Sequence, residues 1–340
     1  MRKLLVLLSA VAFLVAFTVP AVAADWNFYG SARMYTFIND VTPAEGDSDD
    51  DLSWFLQGNS RIGAMVKAGD ISGRFEYGSG PSLRLLNGAW NFGAGSLLVG
   101  QDYSPVDVFI SNQQGPAKWG GDIDMLAYGG IYDGRVPQIK LSMAGFQLAL
   151  LEPKGATLEG LGDTDTSIPR IEASYTFKAG PLALKVLGGY NTCDIELGSD
   201  SYGIDSNVFG LMAKYATGPF SIAGNYYMAQ NAGNYGLLQD AAFGTAAVVD
   251  NSVEDSDSAG YLLVVGFKAS DMIRLEAGYG NVSNERGDLE AEVTSYYLQA
   301  PIALAKGMSL VPEYGVVEYD VGGEDAGDIS YYGTKWQIDF

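Results

Sequence analysis

The chain of 340 residues has no histidine, one cysteine and only 20 lysines and arginines against 41 aspartates and glutamates. After its first two dozen residues it has no long apolar run. Each scarcity excludes something. Without histidine there is no Ser-His nucleophile and no His-ligated metal centre. With Cys193 as the only cysteine, no disulfide can close within the chain. A formal charge of −21 leaves no basic face for nucleic acid, whose phosphates demand one. No later segment is long and apolar enough to cross a bilayer as a helix. No glycine motif leads a strand into a phosphate-cradling helix. Asp47-Ser48-Asp49-Asp50-Asp51 lacks the Gly and the distal Glu of an EF-hand register. Neither a cofactor nor a metal is expected.

The first segment is an address. Arg2 and Lys3 precede an apolar run from Leu4 to Val19, and Pro20 leads into Ala21-Val22-Ala23-Ala24. Residues 1–23 read as a cleaved export signal, cut after Ala23 or Ala24. Residues 24–340 read as one domain. Hydrophobic residues make up 47% of the chain, glycine is abundant at 44 and tyrosine, at 21, outnumbers phenylalanine at 15. A transmembrane β-barrel has that composition, since half its residues face lipid, half face water, and no single segment looks hydrophobic.

Alternation with period two dominates from Asp25 onward. Tyr332, Thr334, Trp336, Ile338 and Phe340 alternate with Tyr331, Gly333, Lys335, Gln337 and Asp339. Residues 26–35 and 170–178 repeat the pattern. Sixteen strands are expected, among them 26–37, an unbroken 53–68, 71–79, 82–92 and 95–103; the stretch 82–103 alternates poorly. Seven tight connections recur at every second position, most with Gly where a hairpin needs positive φ. The others read as longer, polar and acidic, including 39–52 and 230–258. The expected fold is all-β: an antiparallel transmembrane barrel of about 16 strands, with short periplasmic turns and longer extracellular loops. An even count leaves both termini on the short-turn side.

Three local features resemble the trimeric general porins of Gram-negative outer membranes. The chain ends in an aromatic-alternating strand at Phe340. Asn59-Ser60-Arg61-Ile62-Gly63 followed by Lys67-Ala68-Gly69 is similar to that family's second strand and first turn. The long connection 104–135 falls after strand five, where those porins fold a loop into the pore. The resemblance implies a homotrimer, and a terminal signal at Trp336, Ile338 and Phe340 read by the barrel-assembly machinery. One departure stands out. The second outer connection, Ser79-Gly80-Pro81, is too short for the loop that latches neighbouring subunits in many members.

Arg33, Arg61 and Arg74 share inward parity on consecutive strands, which lie about 4.8 Å apart. They are the candidate basic wall; the alternative is that they simply pair with Glu76, Glu172 or other lumen acids. Asp107, Asp122, Asp124 and Asp133 on loop 104–135 are the candidate opposing acids, by resemblance. Lys140, Arg170, Lys185 and Arg274 also have inward parity and read as ordinary lumen residues. The expected function is a water-filled channel for passive diffusion of small hydrophilic solutes and ions. The acidic excess implies mild cation selectivity. A substrate-selective channel, marked by an aromatic track or a narrower lumen, and a structural or adhesive surface barrel are the alternatives. The expected partners are outer-membrane lipid and lipopolysaccharide, besides the assembly machinery and the solutes.

Overall fold

The computed structural model describes residues 24–155 and 163–340; the export signal expected at residues 1–23 lies outside them. The period-two alternation becomes a run of antiparallel ladders. In chain order the strands are β1 Asp25–Pro43, β2 in segments Asp49–Leu56 and Arg61–Ala68, β3 Ile71–Gly78, β4 Leu83–Asn91 and β5 Ser96–Tyr103. Then follow β6 Arg135–Met143, β7 Phe146–Leu151, β8 in segments Asp163–Asp165 and Arg170–Ala179, β9 Leu182–Leu197 and β10 Asp200–Thr217. The last six are β11 Phe220–Gln230, β12 Asp257–Lys268, β13 Arg274–Arg286, β14 in segments Leu289–Gln299 and Ile302–Ala305, β15 Met308–Val321 and β16 Glu324–Asp339. Each pairs with the next, and β1 closes on β16 from Ser31↔Asp339 to Pro43↔Gly327. The result is a closed barrel of 16 strands, which leaves no sheet edge in lipid.

The lipid face is apolar, with Phe28, Trp54, Ile62 and Leu298 each at least 59% exposed. The inner face carries Asn39, Gln138, Asn225 and Ser295. The seven inner turns are tight, and Gly69, Gly93, Gly145, Gly180, Gly218 and Gly307 supply positive φ in six. The seventh, between β12 and β13, is closed by Ser270 Oγ accepting from the amides of Met272 and Ile273.

Several outer connections differ from the sequence expectation. Residues 39–41 and 49–51 continue the β1–β2 ladder, with Asp40 opposite Asp50. The connections at 198–199, 287–288 and 322–323 are two-residue turns. Above the bilayer both faces of a strand meet water, so the apolar signal stops while hydrogen-bonded pairing continues. Loop 230–258 is not a solvated acidic loop either. A helical turn at Ala232–Tyr235 folds inward, and the amides of Leu238 and Asp240 bond Tyr132 O and Ala127 O.

The core lies between loop 104–134 and the inner wall. Val106, Met125 and Ile131 are fully buried against Leu187, Val208, Val264, Val282 and Val317. At about 1.5–3 kcal/mol for each fully buried side chain, these anchors hold the loop inside the barrel. Its backbone touches the wall at Gly280, where a Cβ would collide with the Tyr128 carbonyl. The loop and its core occupy the side of the lumen nearest β9–β15. The open space is left beside β1, β2, β4, β5 and β16.

Candidate functional site

Strand β1 carries Arg33 inward between Ser31 and Tyr35. Beside it β2 breaks at residues 57–60, where an unbroken strand was expected, because Gly58-Asn59 favours a turn over a ladder. The break is stitched to β1. The Gln57 amide and Ser60 Oγ donate to Arg33 O, and the Arg33 amide donates back to Ser60 Oγ at 3.0 Å. It brings Asn59 and Arg61 alongside Arg33.

Asp122 of the loop meets this wall. Its carboxylate accepts from Arg33 Nη1 at 2.5 Å, Asn59 Nδ2 at 2.7 Å and Lys335 Nζ at 2.8 Å. Burial alone would raise its pKa, but the charges of Lys335 and Arg33 outweigh burial and hold it at about 2. Asp124, next along, is pushed well above the usual carboxylate range by burial and then by the Asp122 charge. On the wall, Glu76 serves three guanidiniums, with Arg84 at 2.6 Å, Arg74 at 3.1 Å and Arg61 at 3.5 Å. Arg84 reaches it because Tyr77 pairs Leu83 and Glu76 pairs Leu85, so Arg84 is the extra residue of a bulge.

Between wall and loop lies a space of about 670 Å³ bordered by Arg33, Arg61, Arg84, Arg135, Lys335 and the two loop acids Asp122 and Asp124. Counting Arg74 behind it, six cations stand against the carboxylates of Asp122 and Glu76, which pair with five of them, a surplus of four positive charges, or three if Asp124 ionises. Among the described residues Arg135 has no carboxylate partner; its guanidinium lies over the Tyr103 ring, 5.6 Å from the centroid. The chain is acidic, and the space between this wall and the loop is basic.

A closed 16-stranded barrel with a long loop folded onto its inner wall is a pore architecture, and the comparisons with known proteins agree. The model of a family described as Gram-negative porin matches residues 10–322. The chain belongs to the Gram-negative porin family. No curated protein matches it by sequence. Many solved structures are similar to this porin in fold. The outer membrane channel DcaP of Acinetobacter baumannii has a TM-score of 0.73 at 16% identity, covering 94% of this chain and 98% of that one. OmpT of Vibrio cholerae has a TM-score of 0.60 at 18% identity, covering 94% and 98%. An anion-selective porin from Comamonas acidovorans has a TM-score of 0.60 at 14% identity, covering 94% and 100%. The porin is an outer-membrane channel protein.

The remaining candidate residues of the porin fall elsewhere. Arg74 has the inward parity read from sequence but does not border the gap, because Tyr29 Oη at 2.9 Å and Glu76 hold it to the wall. Asp107 and Asp133 sit at the roots of the loop, not at the gap. Asp107 accepts from the amides of Ser104, Asp133 and Gly134, and burial raises its pKa. Asp133 pairs with the fully buried Arg170, which also lies 3.6 Å from Glu172. These groups hem the loop's two ends together. Lys140 pairs with Asp102 at 2.8 Å, Lys185 donates to Asp107 O at 2.7 Å, and Arg274 borders a separate space nearer the inner turns. Trp336, Ile338 and Phe340 lie exposed on the lipid face.

Sequence reading missed Glu76, Arg84, Arg135 and Lys335 as members of the site. Lys335 was within reach, since its parity is opposite to Trp336 and Phe340. A bulge erased the parity of Arg84, and Arg135 stands at the exit of a loop, where parity has no meaning.

Proposed function

We propose that the protein is a water-filled diffusion channel for small hydrophilic solutes and ions. In this reading the gap between loop 104–134 and β1, β2, β4 and β5 is the constriction. The observation that carries the reading is the placement of that loop: apolar residues seat it on one wall, while Asp122 and Asp124 face a basic opposite wall. Opposed charges across a narrow aqueous gap orient polar solutes and set ion preference.

Composition pointed to mild cation selectivity. The cations that sequence parity did not supply, Arg84, Arg135 and Lys335, move the reading toward anion preference at the constriction, with the acidic mouth acting in the opposite sense. We assign the terminal Trp336, Ile338 and Phe340 to recognition by the barrel-assembly machinery. The assembly is a homotrimer in a bilayer of lipid and lipopolysaccharide.

The test is a planar-bilayer recording of the purified protein. Ohmic single-channel steps and a reversal potential of anion sign across a gradient centred near 0.1 M KCl are expected. Absence of steps refutes the channel, and a cation-sign potential refutes the part assigned to the constriction.

A further inference from the structure

The same gap carries a second chemical character. Phe109 of the loop is 48% exposed and borders the aqueous space together with Trp119, Tyr103 and Tyr132. Three of the rings form a chain. Tyr103 and Phe109 meet edge-on at 5.2 Å between centroids, and Phe109 and Tyr132 meet edge-on at 5.8 Å. The chain runs into the basic wall, where Arg84 Nη2 lies 3.4 Å from Tyr103 Oη and Arg135 covers the Tyr103 ring. Most large apolar side chains in the lumen are buried under the loop, so a phenyl ring half exposed to the gap is an exception there.

Resting on the channel reading, we propose that this junction is a binding subsite for small aromatic carboxylates. The carboxylate is taken by Arg135, which has no acid partner among the described residues, with Arg84 and Arg61 beside it. The aromatic body lies against Phe109 and its edge-on neighbours Tyr103 and Tyr132. Each half has its own chemistry. Guanidiniums present paired N–H donors that match a carboxylate. Aromatic rings prefer offset or edge-to-face partners over water. A space of about 670 Å³ also falls within the range of small-ligand sites, about 300–1,000 Å³. A purely electrostatic filter needs the arginines but not the exposed ring chain. A simple anion such as chloride or acetate uses one half of the junction, and an aromatic carboxylate uses both.

The experiment is single-channel recording of the whole barrel in KCl with benzoate, acetate or benzyl alcohol added. Benzoate should reduce ion current in a saturable, concentration-dependent way, while acetate (charge without ring) and benzyl alcohol (ring without charge) should not saturate in the same range. Phe109→Leu keeps bulk and removes the ring; it should raise the half-blocking benzoate concentration by about five-fold, the size of one aromatic pair. Arg135→Gln should raise it by at least as much, so the proposal stays testable if one variant fails to assemble. Equal action of benzoate and acetate, or an unchanged half-blocking concentration in both variants, overturns the subsite and leaves the channel standing. Absence of conductance steps in KCl alone overturns the channel reading and the subsite with it.

Discussion

Asp122→Asn isolates the charge balance of the gap. The substitution keeps the side chain's shape and an acceptor for Asn59, but removes the charge that pairs Arg33 at 2.5 Å and Lys335 at 2.8 Å. The positive surplus therefore rises by one. For an ion passing about 7 Å away in a medium of effective dielectric about 40, one unit charge is worth about 1 kcal/mol. Screening at 0.1 M salt, where the Debye length is about 10 Å, reduces this to about 0.6 kcal/mol. The change has opposite signs for anion and cation, so the two separate by about 1.2 kcal/mol, about eight-fold in permeability ratio. The assay is the reversal potential across a KCl gradient, for wild type and variant in the same bilayer. A ratio that stays within about two-fold of wild type, or moves toward cations, refutes the placement of Asp122 beside the ion path.

Phe340→Ala should lower the yield of heat-modifiable barrel in the outer membrane while synthesis is unchanged; a normal yield counts against the terminal signal. The purified protein should run as a trimer in mild detergent, and a monomer confirmed by mass measurement would remove the homotrimer. Gly280→Val should push the loop off the wall, because a Cβ there meets the Tyr128 carbonyl. Overpacking of this kind costs about 1–3 kcal/mol, and unchanged conductance with unchanged stability would show that the loop is not seated there.

Strand number, closure and the side of the short turns were legible because they rest on local rules: period-two alternation, and glycine at positive φ. The lumen was harder to read. Inward Val208, Val264, Val282 and Val317 look out of place in a water-filled barrel until the loop that covers them is present, and that contact is long-range. Arg33 and Arg61 were legible by parity, since the break in β2 at residues 57–60 takes up an even number of residues and leaves Arg61 on the same face as Phe55. Arg84 was not, because one extra residue in β4 shifts every later position to the other face. Glu76 was named in the sequence only as a partner for the arginines. Its role as the shared carboxylate for three of them needs the register of β2, β3 and β4 together.

The acidic composition and the basic gap act at different ranges, and salt separates them. Asp49, Asp50 and Asp51 lie exposed at the outer end of β2, where bulk ions screen them freely. At 10 mM salt the Debye length is about 30 Å, so their field reaches down toward the gap and opposes its surplus; at 0.3 M it has shrunk to about 6 Å and no longer does. Arg33 and Arg84 keep their influence at the higher salt, because their side chains are only 15% and 9% exposed and a permeating ion passes close to them. Anion preference should therefore be weak or reversed near 10 mM and grow toward 0.3 M. Replacing Asp49, Asp50 and Asp51 together with asparagine should raise anion preference at the low concentration and change it little at the high one. Equal shifts at both concentrations would place those acids within the ion path itself, contrary to their position at the strand's outer end.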